Sequence, residues 1–183
     1  MTMERNVTQI ALFTALIAAL GLIPQLTLAF GVPITAQSLG VMLCGTVLGA
    51  RRGALAVLLF VGLVAIGLPL LSGGRGGLGQ FVVPTSGFLI GFPVAAFVTG
   101  YAMERLGKFA VVWAAGIAAI LGGVVVLYVF GIAGLAIALD RPVGQAALLV
   151  TAFIPGDIIK AVLAALITAA LYRARPNSVP SRR

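Results

Sequence analysis

Six apolar runs, most of them long enough to cross a lipid bilayer as a helix, take up nearly all of this 183-residue chain. A spanning helix needs about 20 consecutive apolar residues, because 1.5 Å of rise per residue has to cover roughly 30 Å of hydrocarbon. The runs cover residues 7–29, 36–50, 53–71, 84–104, 109–138 and 143–172. What separates them is turn-forming or charged: Gly31-Val32-Pro33, Arg51-Arg52-Gly53, the glycine-rich stretch 72–79, residues 104–108, and Asp140-Arg141-Pro142. The first run is too long for the apolar part of a cleaved signal peptide, and further runs follow it. Only 9% of residues are charged, against about 25% in a soluble domain. The pattern predicts an all-α, polytopic membrane protein with six transmembrane helices. Residues 1–172 form one domain, and the polar tail 173–183, with Pro176 and Pro180, is expected to be disordered.

An even number of spans puts both termini on one side, which the charges test. With the N-terminus in the cytoplasm, the inner segments carry nine basic residues (Arg5, Arg51, Arg52, Arg105, Lys108, Arg173, Arg175, Arg182 and Arg183) and the outer segments only Arg75 and Arg141. Inserted helices show this bias toward cytoplasmic positive charge, so both termini are expected to be cytoplasmic. The net charge of +8 does not indicate nucleic acid, because the basic residues are scattered and no basic face interleaved with aromatics exists. Histidine is absent and Cys44 is the only cysteine, which excludes an internal disulfide, a Cys/His metal site and histidine base chemistry. Neither a metal nor a cofactor is predicted.

Two runs are irregular. The second is only about 15 residues long, short for a span. The sixth carries Pro155-Gly156 near its middle. Either the helix kinks there, or the spanning helix begins at Pro155 and residues 143–153 form a separate, partly re-entrant outer segment. Proline suits a first helical turn, which favours the second version.

Of the twelve Lys and Arg and the four Asp and Glu, only Asp157 and Lys160 are placed inside a span rather than at its edge. A charge at membrane depth costs several kcal/mol unless paired or wet, and it marks a functional site by default. Their i, i+3 spacing puts them on one helix face. A plain ion pair holding the bundle together would leave the same signature. In a helix starting at Pro155, Asp157 lies in the first turn, where the dipole favours a carboxylate. That carboxylate can accept two N–H donors from a ligand. Lys160, one turn deeper, offers a cation to an anionic group.

A second feature is the outer loop and the helix start after it. Gly73, Gly74, Gly76, Gly77 and Gly79 allow close backbone approach, and Gln80, Thr85, Ser86, Phe81, Phe88 and Phe92 supply polar groups and apolar walls. Gly76, Gly77, Gln80, Thr85 and Phe88 are candidate ligand contacts, as is the Tyr128 hydroxyl. Gln37 and Gln145 sit near other outer ends. Gly74, Gly76 and Gly79 match a dinucleotide fingerprint only formally, without its strand, crossover or acidic residue. No ATP-binding phosphate loop is present. Ala11, Ala15 and Ala19 form a small-residue stripe on the first helix, which lets another helix approach closely.

The glycine loop, Pro84-Thr85-Ser86-Gly87-Phe88-Leu89-Ile90-Gly91-Phe92 and Ile154-Pro155-Gly156-Asp157-Ile158-Ile159-Lys160 together resemble the BioY family, the biotin-specific S components of energy-coupling factor (ECF) transporters. The resemblance covers nearly the whole chain. It implies a non-enzymatic binder that captures biotin outside and delivers it to the cytoplasm, in the plasma membrane of a prokaryote. Its partners would be a transmembrane T component and two ATPase subunits. It further implies ligand binding by Asp157 and Lys160, a covering role for the loop from Gly73 to Phe88, and docking of the T component at Ala11 and Ala15. Members often have Gly-Pro-Thr-Gly-Gly-Tyr where this chain has Val83-Pro84-Thr85-Ser86-Gly87-Phe88, so Phe88 is limited to apolar contact. Two other readings fit the residues: a carrier for another small vitamin-like acid working alone, and a proton-coupled carrier with Asp157 as relay.

Overall fold

A computed structural model describes residues 3–27 and 33–182, with the side chains of residues 26, 27 and 33 outside the described set. The separator Gly31-Val32 and the terminal Arg183 therefore lie outside the described residues. Six helical columns build the molecule. They are α1 (Met3–Leu20); α2 (Gln37–Leu43) continued by a π-helical turn (Cys44–Leu48); α3 (Ala50–Ala65); α4 (Ser86–Arg105); α5 (Val111–Ile120), a π-helical stretch (Leu121–Val126) and α6 (Leu127–Ala138); and α7 (Val143–Val150), a 3-10 turn (Thr151–Phe153) and α8 (Ile154–Ala174). A two-residue antiparallel pair, β1 (Leu26–Thr27) with β2 (Pro33–Ile34), joins the first two columns. Among the described residues, Ser86–Arg105, Val111–Ala138 and Val143–Ala174 are long and apolar enough to cross a membrane by length and composition.

Two expected boundaries move. The first helix stops at Leu20 instead of running to residue 29, because the chain turns at Gly21, packs there against the Leu70 carbonyl, and meets Pro24, which has no N–H to continue the ladder. The sixth column does start a helix beside Pro155, but α7 is not detached from it: the 3-10 turn keeps the column helical, and α7 packs on α6.

The short α2 is the centre of the bundle. Gln37, Ser38, Gly40, Val41, Met42 and Leu43 are all buried, and α1, α4 and α8 surround it. Its π-helical extension ends at Gly49, whose φ of +85° only glycine adopts without strain. The peripheral helices carry exposed apolar residues instead, such as Leu55, Leu58, Val129 and Val162, the pattern of surfaces that face lipid. Columns four and five cross backbone to backbone. A Cβ on Gly134 would lie 2.6 Å from the Gly87 Cα, closer than real contacts allow.

The segments that hold most of the basic residues meet at one end. The backbone N–H of Ala50, next to Arg51, donates to Glu104 Oε1 at 2.9 Å. The Arg5 guanidinium donates to the Asn177 carbonyl. Arg182 donates to the carbonyls of Leu106, Gly107 and Phe109, in the connection between α4 and α5. The tail, expected to be disordered, is thus ordered in short 3-10 turns. Val179, Pro180 and Ser181 are buried, and the Ser181 hydroxyl donates to the Thr46 carbonyl. Its composition is polar, but its hydrogen bonds satisfy helix ends far away in sequence.

The Gly87–Gly134 crossing yields a contrast. Gly87→Leu should lower stability by about 1–3 kcal/mol through overpacking, whereas Gly144→Ala, with nothing within 4 Å of the added Cβ, should leave it unchanged or raise it by about 0.5–1 kcal/mol. Thermal unfolding of the two purified variants in detergent separates these outcomes.

Candidate functional site

At the end opposite the basic cluster, the N-terminal ends of α2, α4 and α8 converge beneath the loop between α3 and α4 and leave a cavity of about 700 Å³ including its open mouth. Phe88, Leu89, Phe92, Leu127 and Phe153 form most of its apolar wall, with Phe88 and Phe153 tilted at 55° and their centroids 5.8 Å apart.

The polar face is organised around Asp157. Pro155 sits in the first turn of α8, and Asp157 lies in the same turn. Lys160 Nζ lies 2.9 Å from Asp157 Oδ1 and 3.0 Å from Ser38 Oγ. The Ser38 hydroxyl donates to the same Oδ1 at 3.3 Å, and the Tyr128 hydroxyl donates to Oδ2 at 2.8 Å. The side chains of Lys160 and Asp157 are only 14% and 7% exposed, so both charges depend on this network for the solvation they lack.

Five of the expected ligand contacts line the cavity together: Asp157, Lys160, Thr85, Phe88 and Gln80. Tyr128 reaches it indirectly, through Asp157. Gly76 and Gly77 do not line it. The Gly76 Cα packs against the Leu68 carbonyl, and the Gly77 N–H donates to the Val64 carbonyl at 2.7 Å, so both fold the loop down onto the end of α3. Gln37 is in the wall but already committed, with Nε2 donating to the carbonyls of Leu70 and Ile17 and Oε1 accepting from the Ser72 N–H at 3.1 Å. Gln145 lies away from the cavity and accepts from Arg141. Sequence reasoning missed Ser38, Thr35 and Ile34, and counted Arg75 only as a loop charge; all four line the cavity. No sequence signal singles out Ser38, one serine near a helix start, before the fold sets it against α8.

A family model described as the BioY family matches residues 1–177. This chain belongs to the BioY family. It is 54% identical over 189 residues to the biotin transporter BioY of Rhodobacter capsulatus, covering 98% of this chain and 100% of that protein. It is 55% identical over 178 residues to the biotin transporter BioY of Rhizobium etli, covering 94% and 95%. Its fold superposes with a TM-score of 0.89 and 32% identity on a 2.1 Å crystal structure of the S-component for biotin from an ECF-type ABC transporter, over 94% of this chain and 95% of that one. The BioY fold thus accounts for the six columns and the buried second helix.

Removing one member of a buried ion pair leaves the other uncompensated. Lys160→Ala should therefore destabilise the ligand-free protein by about 3 kcal/mol, and the double variant Asp157→Asn/Lys160→Ala should recover most of that loss. Melting temperatures of the three proteins in detergent give the comparison, and a double variant no more stable than Lys160→Ala would remove the pair from the account.

Proposed function

We propose that this chain is the biotin-binding membrane component of a vitamin uptake system, capturing biotin from outside and delivering it to the cytoplasm with ECF energy-coupling partners. The observation that carries the site assignment is the Asp157 carboxylate, paired with Lys160 at 2.9 Å in the wall of an otherwise largely apolar cavity. Biotin presents a ureido head with two N–H donors, an apolar bicyclic body and a valerate carboxylate. Asp157 accepts the N–H groups, and the long 3.3 Å contact from Ser38 is the one that a ligand donor replaces. Lys160 has one ammonium hydrogen left after Asp157 and Ser38, and directs it to an acceptor on the ligand. Phe88, Phe92 and Phe153 cover the bicyclic body, while Thr85 and Gln80 stand among the remaining polar lining.

The function is binding and transport rather than catalysis. The chain carries no phosphate loop for ATP, so the work of uptake comes from a transmembrane T component and two ATPase subunits. Ala11, Ala15 and Ala19 lie exposed on α1, which suits them to a close helix contact with the T component. In the plasma membrane of a prokaryote, the basic end faces the cytoplasm and the cavity faces outward. Closure of the loop between α3 and α4 desolvates the ligand, and reorientation of the whole chain against its partner exposes the cavity inward. A proton-relay role for Asp157 fits less well, because both of its oxygens already accept hydrogen bonds, Oδ1 from Lys160 and Ser38 and Oδ2 from Tyr128.

Calorimetric titration of the purified protein with biotin should show saturable binding, and Asp157→Asn should weaken it about tenfold to a hundredfold. Unchanged affinity in that variant would sink the site assignment. Ala11→Trp/Ala15→Trp should keep biotin binding while losing co-purification with the T component, and retained co-purification would move the docking surface elsewhere.

A further inference from the structure

We infer that Arg75 is the anion-selecting residue of this cavity, taking the carboxylate of a monoanionic ligand while Lys160 serves Asp157. The inference rests on the biotin-binding reading and adds to it which cation recognises the acid.

Three charged side chains line the cavity, Arg75, Asp157 and Lys160, so its lining carries a net charge of +1. Lys160 is the obvious receptor for an anion by depth, but its charge is neutralised by Asp157 at 2.9 Å and it also binds Ser38. Arg75 has no such partner. Of the four acidic residues, Asp157 is paired with Lys160, Glu104 accepts the Ala50 N–H at the opposite end, Glu4 opens α1 at that same end, and Asp140 lies in the turn after α6. The Asp157–Lys160 pair is the one carboxylate ion pair among the described residues.

The backbone presents Arg75 firmly. Leu71 and Arg75 form an antiparallel bridge, with Leu71 N donating to the Arg75 carbonyl at 2.9 Å and Arg75 N donating back at 3.2 Å. The turn between them needs φ of +80° at Gly73 and +69° at Gly74, conformations that side chains rarely adopt. The Ser72 N–H is fastened to Gln37 of α2, so this turn is tied to the cavity wall. The guanidinium itself is oriented by Nε, which donates to the Ser72 carbonyl at 3.0 Å. That leaves the terminal nitrogens for a bidentate carboxylate, the geometry in which arginine binds anions most strongly. When the loop closes, an unpaired guanidinium would lose water without compensation. A carboxylate supplies that compensation, so the ligand's own charge stabilises the closed loop.

The test compares biotin with its neutral primary amide, by calorimetry on the full-length protein in detergent, for wild type, Arg75→Gln and Arg75→Lys. Wild type should prefer the acid by about tenfold to a hundredfold. Arg75→Gln should bring the ratio of the two affinities close to one, and Arg75→Lys should keep part of the preference. A full preference retained in Arg75→Gln, or one lost in Lys160→Ala and not in Arg75→Gln, would overturn the assignment while leaving biotin binding intact. Wild type that binds neither compound would overturn the biotin reading and this inference with it.

Discussion

The arrangement depends on one carboxylate that has to find its partners inside an apolar bundle. An ion moved into such surroundings loses several kcal/mol of solvation, which a partner and hydrogen bonds must offset. Asp157 obtains these from three places: Lys160 on its own helix, Ser38 at the start of α2 and Tyr128 in α6. Satisfying it therefore fixes the relative positions of three helical columns at one end of the molecule. The cavity is the space those fixed ends enclose beneath the loop, and its polarity is confined to the same wall. Binding geometry and fold geometry are set by the same few hydrogen bonds.

Below this level the helices must associate without a hydrophobic driving force, since lipid tails are as apolar as the side chains. Two devices replace it. Small residues bring backbones together: α5 and α8 meet through Ala114, Ala115, Ala118, Ala161, Ala164 and Ala165, all buried, and Gly87 crosses Gly134. Polar ties then fix register. The hydroxyls of Thr46 and Thr168 lie 2.9 Å apart, and Thr14 donates to the Ala56 carbonyl at 2.8 Å. The ordered tail extends this logic past α8, because Ser181 donates to a carbonyl at the end of the second column and Arg182 to carbonyls of the connection after α4.

The six-column architecture was legible because membrane spans are written in length and apolarity, and these are local properties. Asp157 and Lys160 were legible for the complementary reason: in a chain with so few charges, an ion inside a span has no background to hide in. Ser38 was not, since one serine near a helix start is unremarkable until the fold brings it against α8. Arg75 was visible as a charge but not as a lining residue, because its direction depends on the Leu71 bridge and on Gln37, neither of which leaves a pattern in sequence. The end of α1 at Leu20 was hidden inside a continuous apolar run, where hydropathy cannot distinguish a helix from a buried turn. The tail was misjudged for the opposite reason, its polar composition concealing hydrogen-bond partners more than seventy residues away.

The shortness of the second helix is what makes room for a ligand. With its π-helical turn the column spans Gln37–Leu48, twelve residues, or about 18 Å of rise against roughly 30 Å of hydrocarbon. A full-length helix at this central position would continue through the volume now lined by Thr35, Ser38 and Phe92, and the bundle would close on itself. The hairpin pairing of Leu26 with Ile34 carries the chain across instead, leaving the upper part of the central column without a helix. The first turn of α2 then faces the cavity, with Ser38 available to Asp157 and Lys160 and with Gln37 holding the loop that carries Arg75. The missing turns of α2 and the cavity are therefore one feature, because the central column is shared between helix and open space.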